Sequence, residues 1–242
     1  MRAIRIHVEQ PLAAGAEISL PAGAGERLTR VLRLAAGARV LLFNGDGHDY
    51  AAVLLDAAHS AARVRIEHAQ AATAAESPLA LTLVQSIARG EKMDWILQKA
   101  TELGVARIVP VFTARTEVRL DGGRGDKRLA HWHGVICGAC EQCGRARLPR
   151  LDAPQPLAHW LATAAREGSL LTLDPQSSTR VRDLPALSAA QLVIGPEGGL
   201  DAADLLLHAA GAQGLTLGPR VLRTETAGMA ALAMLQSHHG DA

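Results

Sequence analysis

With 242 residues the chain has room for one large domain or two modest ones, and an apolar fraction of 48% is ample for a core. A formal net charge of +1 does not by itself mark a nucleic-acid binder, and with only six aromatic residues, three Trp, two Phe and one Tyr, base stacking is excluded as a major binding device. No stretch reaches membrane-spanning length, and Met1-Arg2-Ala3-Ile4-Arg5-Ile6 has no long apolar run after its charges, so a cytosolic protein is expected.

The chain opens as β structure. Ile4, Ile6 and Val8 alternate with Arg5 and His7, which predicts a strand with one aliphatic face. A short helix beginning near Ala24 brings Arg27, Arg30 and Arg33 close together, either as an RNA-facing group or as an ordinary exposed face. Residues 39–43 and 50–55 read as strands around the turn-rich Asn44-Gly45-Asp46-Gly47, a hairpin signal, and Val64 and Ile66 alternate with charged neighbours in a further strand. Several short strands in about seventy residues suggest a small barrel.

Ala-rich residues 69–77, ending in Ser77-Pro78, carry no periodic pattern and hold the domain boundary, with residues 1–72 before it and 73–242 after it. A buried strand is expected over 79–87. A helix over 91–103 follows, with Met93, Ile96, Leu97, Ala100 and Leu103 on one face and Gly104 as its stop. Next come a strand over 107–112 and helices around 127–143, 156–166, 201–209 and 225–237. Strand and helix in alternation argue for an α/β domain on a mainly parallel sheet.

Cys137, Cys140 and Cys143 fall at three-residue spacing, superficially like the start of an iron–sulfur ligand run. A full cluster normally needs four thiolates, and a helix sets i, i+3 thiols one turn apart instead of wrapping them around a metal. Buried free thiols and no metal are expected. From Arg115 to Arg150 eight basic residues face four acids, a local excess that suits phosphates or a solvated surface equally.

Two glycine-bearing loops carry the strongest chemical signal. Gly195-Pro196-Glu197-Gly198-Gly199 follows the apolar run 191–194, and residues 217–226, Leu-Gly-Pro-Arg-Val-Leu-Arg-Thr-Glu-Thr, follow the run 214–217. Glycine lets a backbone approach a ligand closely, and open α/β sheets bind ligands beyond the carboxyl ends of their strands. Neither loop has the lysine-bearing phosphate motif of a nucleoside triphosphate site or G-x-G-x-x-G, so phosphate cradling is not expected.

These loops resemble those of the SPOUT methyltransferases. With Arg30-Val31-Leu32-Arg33, Arg89-Gly90-Glu91-Lys92-Met93, residues 98–105 and residues 139–145, the whole chain is similar to the bacterial 16S ribosomal RNA uracil-N3 methyltransferase family. The resemblance implies a PUA-like barrel, then a SPOUT domain with a C-terminal trefoil knot, acting as a cytoplasmic homodimer on 16S rRNA in the small ribosomal subunit. It implies S-adenosylmethionine as cofactor, held by Leu173, Gly195, Pro196, Glu197, Gly198, Gly199, Leu217, Gly218, Leu222, Arg223 and Thr226. Arg223 is then expected to stabilise developing charge and Glu225 to accept a proton, while capping or an internal ion pair is the plainer role for both. RNA contacts are expected from Arg5, Arg30 and Arg33 in the barrel and from Arg115, Arg145 and Arg147 in the larger domain. Glu141, Gln142 and Arg145 fit either a dimer contact or RNA docking. A ribose 2′-O-methyltransferase of the same fold and a non-enzymatic RNA-binding factor are the two competing readings.

Overall fold

The computed structural model describes residues 3–56, 62–116, 123–165, 167–200 and 202–242. The chain forms two units, Met1–Glu76 with Cys137–Leu148, and Ser77–Ile136 with Pro149–Ala242. The first unit takes in a segment from the middle of the chain, a feature that a linear division at residues 72 and 73 does not contain.

In the first unit β1 (Arg5–His7), β2 (Glu17–Ser19), β3 (Arg39–Phe43), β4 (His48–Asp56) and β5 (Arg63–Ala71) form one sheet in the order β1-β3-β4-β5-β2. Only β1 and β3 run parallel. The alternation of apolar and polar residues sends Ile6, Val40, Leu42, Leu54, Val64 and Ile66 into a common core. Register shifts in the β4–β5 ladder, at Ala51/Ala52 and Leu54/Asp56, bend and twist the strands and so curl the sheet around that core. The hairpin read from sequence is present, its second strand beginning at His48 instead of Tyr50. Asp46 builds its turn, accepting from the His48 N–H at 2.8 Å and from the Tyr50 hydroxyl at 2.7 Å.

Between β2 and β3, helix α1 (Ala22–Glu26) passes into a π-helical turn, Arg27–Val31, in which the Leu32 N–H closes on the Arg27 carbonyl at 2.9 Å. The turn ends on Arg33 at φ +53°, the one non-glycine residue at positive φ among the described residues, and the Leu34 N–H reaches back to the Leu28 carbonyl at 2.9 Å. Helix ends favour glycine at such a position, and an L side chain in left-handed backbone costs roughly 1–2 kcal/mol.

Arg5 lies in the interior of this unit, 4% exposed. Its guanidinium donates to Asp49 Oδ1 at 2.6 Å, to the Cys140 carbonyl at 2.6 Å and to the Arg145 carbonyl at 3.1 Å, and sits 4.5 Å from the Phe43 ring centroid. Arg145, 5% exposed, pairs with Glu76 at 2.6 Å. Both were expected as RNA contacts, and both are buried and paired within the unit. The alternation that put Arg5 opposite the aliphatic face was real, but segment 137–148 covers that second face, so the charges are buried and paired.

The second unit is built on a parallel sheet of β6 (Ala80–Ser86), β7 (Arg107–Phe112), β8 (Arg150–Leu151), β9 (Gln155–Pro156), β10 (Ser169–Leu173), β11 (Ala189–Ile194) and β12 (Gln213–Leu215). Its order is β12-β10-β11-β6-β7-β8, with β9 also on β7. Central strands β6 and β11 are buried almost throughout, as both faces of a parallel sheet require, and read as continuous apolar runs. Helices α2 (Glu91–Glu102), α3 (Gly123–Cys143), α4 (Leu157–Thr163), α5 (Ala202–Ala209) and α6 (Thr224–His239) connect or follow them. On α2 the buried face is Met93, Ile96, Leu97, Ala100 and Thr101. Thr101 takes the inner place expected of Leu103, because its hydroxyl is satisfied by the Leu97 carbonyl at 2.8 Å. All three cysteines are free thiols, with Cys140 buried and Cys137 and Cys143 half-buried. No described helix is long and apolar enough to cross a membrane.

Candidate functional site

Strands β12, β10 and β11 are parallel neighbours, so the loops leaving their carboxyl ends emerge side by side. These three loops and the first turns of α2 and α6 enclose a cleft of about 850 Å³. Leu173, Gly195, Pro196, Glu197, Gly199, Leu217, Gly218, Leu222 and Arg223 line it, as do Thr172, Asp174, Arg220 and Lys92, which sequence reasoning did not place there. Gly198, Glu225 and Thr226 are outside its lining. Gly198 lies instead beneath Arg115, whose Nη1 donates to the Gly198 carbonyl, and Thr226 is exposed on α6.

Glycine is needed at two places in the wall. A Cβ on Gly195 would lie 2.8 Å from Leu200 Cγ, and Gly218 holds φ +124°. The loops are bound to one another through main chain and hydroxyls. The Asp174 N–H donates to the Leu215 carbonyl at 2.9 Å, and the Ser177 hydroxyl to the Gly214 carbonyl at 2.8 Å. Thr224, the first residue of α6, donates through its hydroxyl to the Gly195 carbonyl at 2.5 Å and accepts from Gln85 Nε2 at 3.3 Å. Gln85 is fully buried at the end of β6, so the two glycine loops are referenced to the centre of the sheet.

Charge at the cleft is organised by Lys92. Its ammonium stands 3.1 Å from Glu197 Oε1 and 3.5 Å from Glu225 Oε1. The Glu197 hydrogen bond raises the Lys92 pKa above the usual lysine value. At Glu197 burial pushes the carboxyl up, but its backbone N–H and the Lys92 ammonium together outweigh that and hold it below the usual range. Glu225 Oε2 is buried without a hydrogen-bond partner among the described residues. Arg223 occupies the N-cap position of α6, exposed at the cleft, and makes no ion pair among the described residues. It therefore adds a full charge beside the partial positive charge of a helix N-terminus.

Of the other predicted RNA-facing residues, Arg30, Arg33, Arg115 and Arg147 are exposed. Arg147 lies flat against Gly47, where a Cβ would come within 2.9 Å of its Nε. Glu141 is turned inward, accepting from the His7 N–H at 3.0 Å and pairing with Arg27.

Residues 75–236 match the RNA methyltransferase domain family, and residues 28–67 match the RNA methyltransferase PUA domain. A ribosomal RNA small subunit methyltransferase E from Neisseria gonorrhoeae, solved bound to S-adenosyl methionine, is 36% identical with a TM-score of 0.92 over 99% of each chain. A Legionella pneumophila protein described as a methyltransferase, in complex with the cofactor SAM, is 39% identical with a TM-score of 0.94 over 100% of each chain. The ribosomal RNA small subunit methyltransferase E of Mycobacterium bovis is 30% identical over 239 residues, spanning 96% of this chain and 90% of its own. With its parallel-sheet cleft, its curled five-stranded sheet and full-length likeness of this order, the chain belongs to the RNA methyltransferase family that includes the ribosomal RNA small subunit methyltransferases E.

Proposed function

We propose that this protein transfers the methyl group of S-adenosylmethionine to N3 of a specific uridine of 16S rRNA in the small ribosomal subunit. The observation that carries this reading is the full-length likeness, at a TM-score of 0.92, to a ribosomal RNA small subunit methyltransferase E bound to that cofactor. The cleft fits the cofactor in kind. Its size falls in the range of small-molecule sites, and Gly195 and Gly218 are places where any side chain would fill or strain the wall. Leu173, Leu217 and Leu222 offer apolar walls, and the backbone of the two glycine loops offers donors and acceptors. The chemistry supplied by the bound cofactor is a methyl group already activated on a positively charged sulfur.

What remains for the protein is aim and proton balance. Orienting two reactants supplies on the order of 7–11 kcal/mol of a barrier, which makes the stiff, cross-linked loops the principal catalytic device. Uracil N3 carries a proton at neutral pH. Arg223 would stabilise the anion that forms as the proton leaves, a role its exposure at the cleft on the N-terminus of α6 supports. Glu225 is the proposed acceptor on the family resemblance alone, since it stands outside the cleft lining, paired with Lys92 and with its Oε2 buried. Arg223→Ala is expected to lower kcat by about 10²-fold with cofactor affinity within a few-fold of the parent, the scale seen when one charge-stabilising donor is lost; full turnover with intact binding would remove Arg223 from the chemistry.

Watson–Crick pairing blocks N3, so the uridine must be unpaired or extruded. The protein works on this reading in the cytoplasm as a homodimer. Val221, 85% exposed at the cleft, is an apolar side chain that a second copy would cover. A knotted path for the C-terminal loops belongs to the same reading and rests on the family resemblance. Purified protein, labelled cofactor and small subunits lacking the modification should together yield one N3-methyluridine. Label in a ribose 2′-O-methyl nucleoside, or none at all, would overturn the assignment.

A further inference from the structure

We infer that the exposed turn Arg30–Arg33 is an RNA wedge: Val31 and Leu32 press on an unstacked nucleotide of the ribosomal RNA while Arg30 and Arg33 hold the flanking phosphates. The inference rests on the proposed action on ribosomal RNA and names the surface that captures it.

Val31 is 70% exposed and Leu32 40%, two adjacent aliphatic side chains in water. Neither is a loose end. Leu28, one turn earlier, is fully buried in the core of the first unit, and Arg27 is tied to Glu141, so the turn that displays the pair is held rigid from beneath. A rigid display loses little freedom on binding, which favours contact over collapse onto the surface. Arg30 and Arg33 are both exposed on either side of the pair.

Arg33 supplies the independent observation. It stands in left-handed backbone at φ +53°, where the Leu34 N–H reaches back to the Leu28 carbonyl and glycine is the usual occupant. The chain keeps a long cation where its own helix end is better served by no side chain. Strained residues of this kind persist where function uses them. An apolar pair bracketed by guanidiniums suits a nucleic acid, since apolar wedges enter the base steps of DNA and guanidiniums hold phosphates; the proposed action on ribosomal RNA makes that nucleic acid RNA. A second copy of this chain would bring the same cations to the same surface, and like charges disfavour that pairing.

The test sets fold and binding against each other. Arg33→Gly is expected to raise Tm by a few degrees. The same change should weaken binding to unmodified small subunits by roughly three- to tenfold at 0.1 M salt, with a slope of log K against log salt shallower by about one. KM for the cofactor should not move. Replacing Val31 and Leu32 by Ser should weaken binding with the slope unchanged, because no phosphate contact is lost. Unaltered affinity and slope in Arg33→Gly would overturn the proposal, as would a serine variant that binds subunits normally but sediments as a smaller species, which gives the surface to a second copy. Binding is read apart from turnover, so failure of the wild-type protein to methylate subunits would count against the proposed reaction and leave the wedge to be judged by affinity alone.

Discussion

Lys92 shows how one side chain can join loops that lie far apart in sequence. It reaches from the first turn of α2 to Glu197 in the loop after β11 and to Glu225 in α6. Lys92 is 37% exposed, and solvent screening leaves its pair with Glu197 little part in folding. Its removal leaves two carboxylates facing each other beside the cleft. Lys92→Met is therefore expected to lower kcat/KM by about tenfold while Tm shifts by less than two degrees, in the range of a lost surface pair; steady-state kinetics beside a melting curve decide it, and unchanged kinetics would dismiss the residue. Lys92 lay inside a recognised segment, but nothing in the spacing of Arg89 to Met93 tells where its ammonium ends up. The glycine loops were legible because Gly and Pro clusters after apolar runs mark turns, whereas the Leu200 contact at Gly195 and the φ of +124° at Gly218 appear only in the fold. Cys137 and Cys140 carry a pH consequence. Burial first, then the Glu141 charge at Cys137, push both thiols up from 9.0 to about 12, with Arg145 opposing at Cys140. Raised folded values mean stability that is complete below pH 9.0 and lost as pH rises toward about 12. Thermal melts at stepped alkaline pH should show this loss, and Cys137→Ala with Cys140→Ala should flatten it; equal slopes would assign the alkaline loss to other groups.

Among elements, α6 bears most directly on the site, because its first residue fastens the Gly195 loop. Thr224→Val keeps the shape and leaves the Gly195 carbonyl and Gln85 Nε2 without that partner, at a cost of about 1–3 kcal/mol. Expected results are a Tm lower by several degrees and cofactor affinity weaker by about tenfold, measured by calorimetry with S-adenosylmethionine. If heat and affinity match the parent, the hydroxyl is no fastener. Periodicity revealed the elements long enough to show it, such as α2, β7 and the β3–β4 hairpin. Strands β8 and β9 have two residues each and β2 three, so they exist only by virtue of the ladders they join and leave no pattern to read. Strand β10, Ser-Leu-Leu-Thr-Leu, is too short to show a period, and its place next to β11 and β12 follows from pairing alone.

For the molecule as a whole, Arg5 measures how far the first unit depends on distant sequence. Asp49, fully buried, has the Arg5 guanidinium and the Thr73 N–H and hydroxyl as its partners. Arg5→Met strands that carboxylate and two carbonyls, and removal of one partner from a buried ion pair costs about 3–5 kcal/mol. Denaturant unfolding should register the loss, whereas a change below 1 kcal/mol would mean that the site rearranges around the gap. Chain order could not disclose this dependence, because the carbonyls that Arg5 reaches belong to residues 140 and 145. A protein of this build has a birth order that differs from its map. During synthesis the first unit must wait, with a buried arginine still lacking two acceptors, until residue 148 has followed; a fragment cut after residue 76 never receives them, and neither unit can be exchanged between relatives by a single crossover.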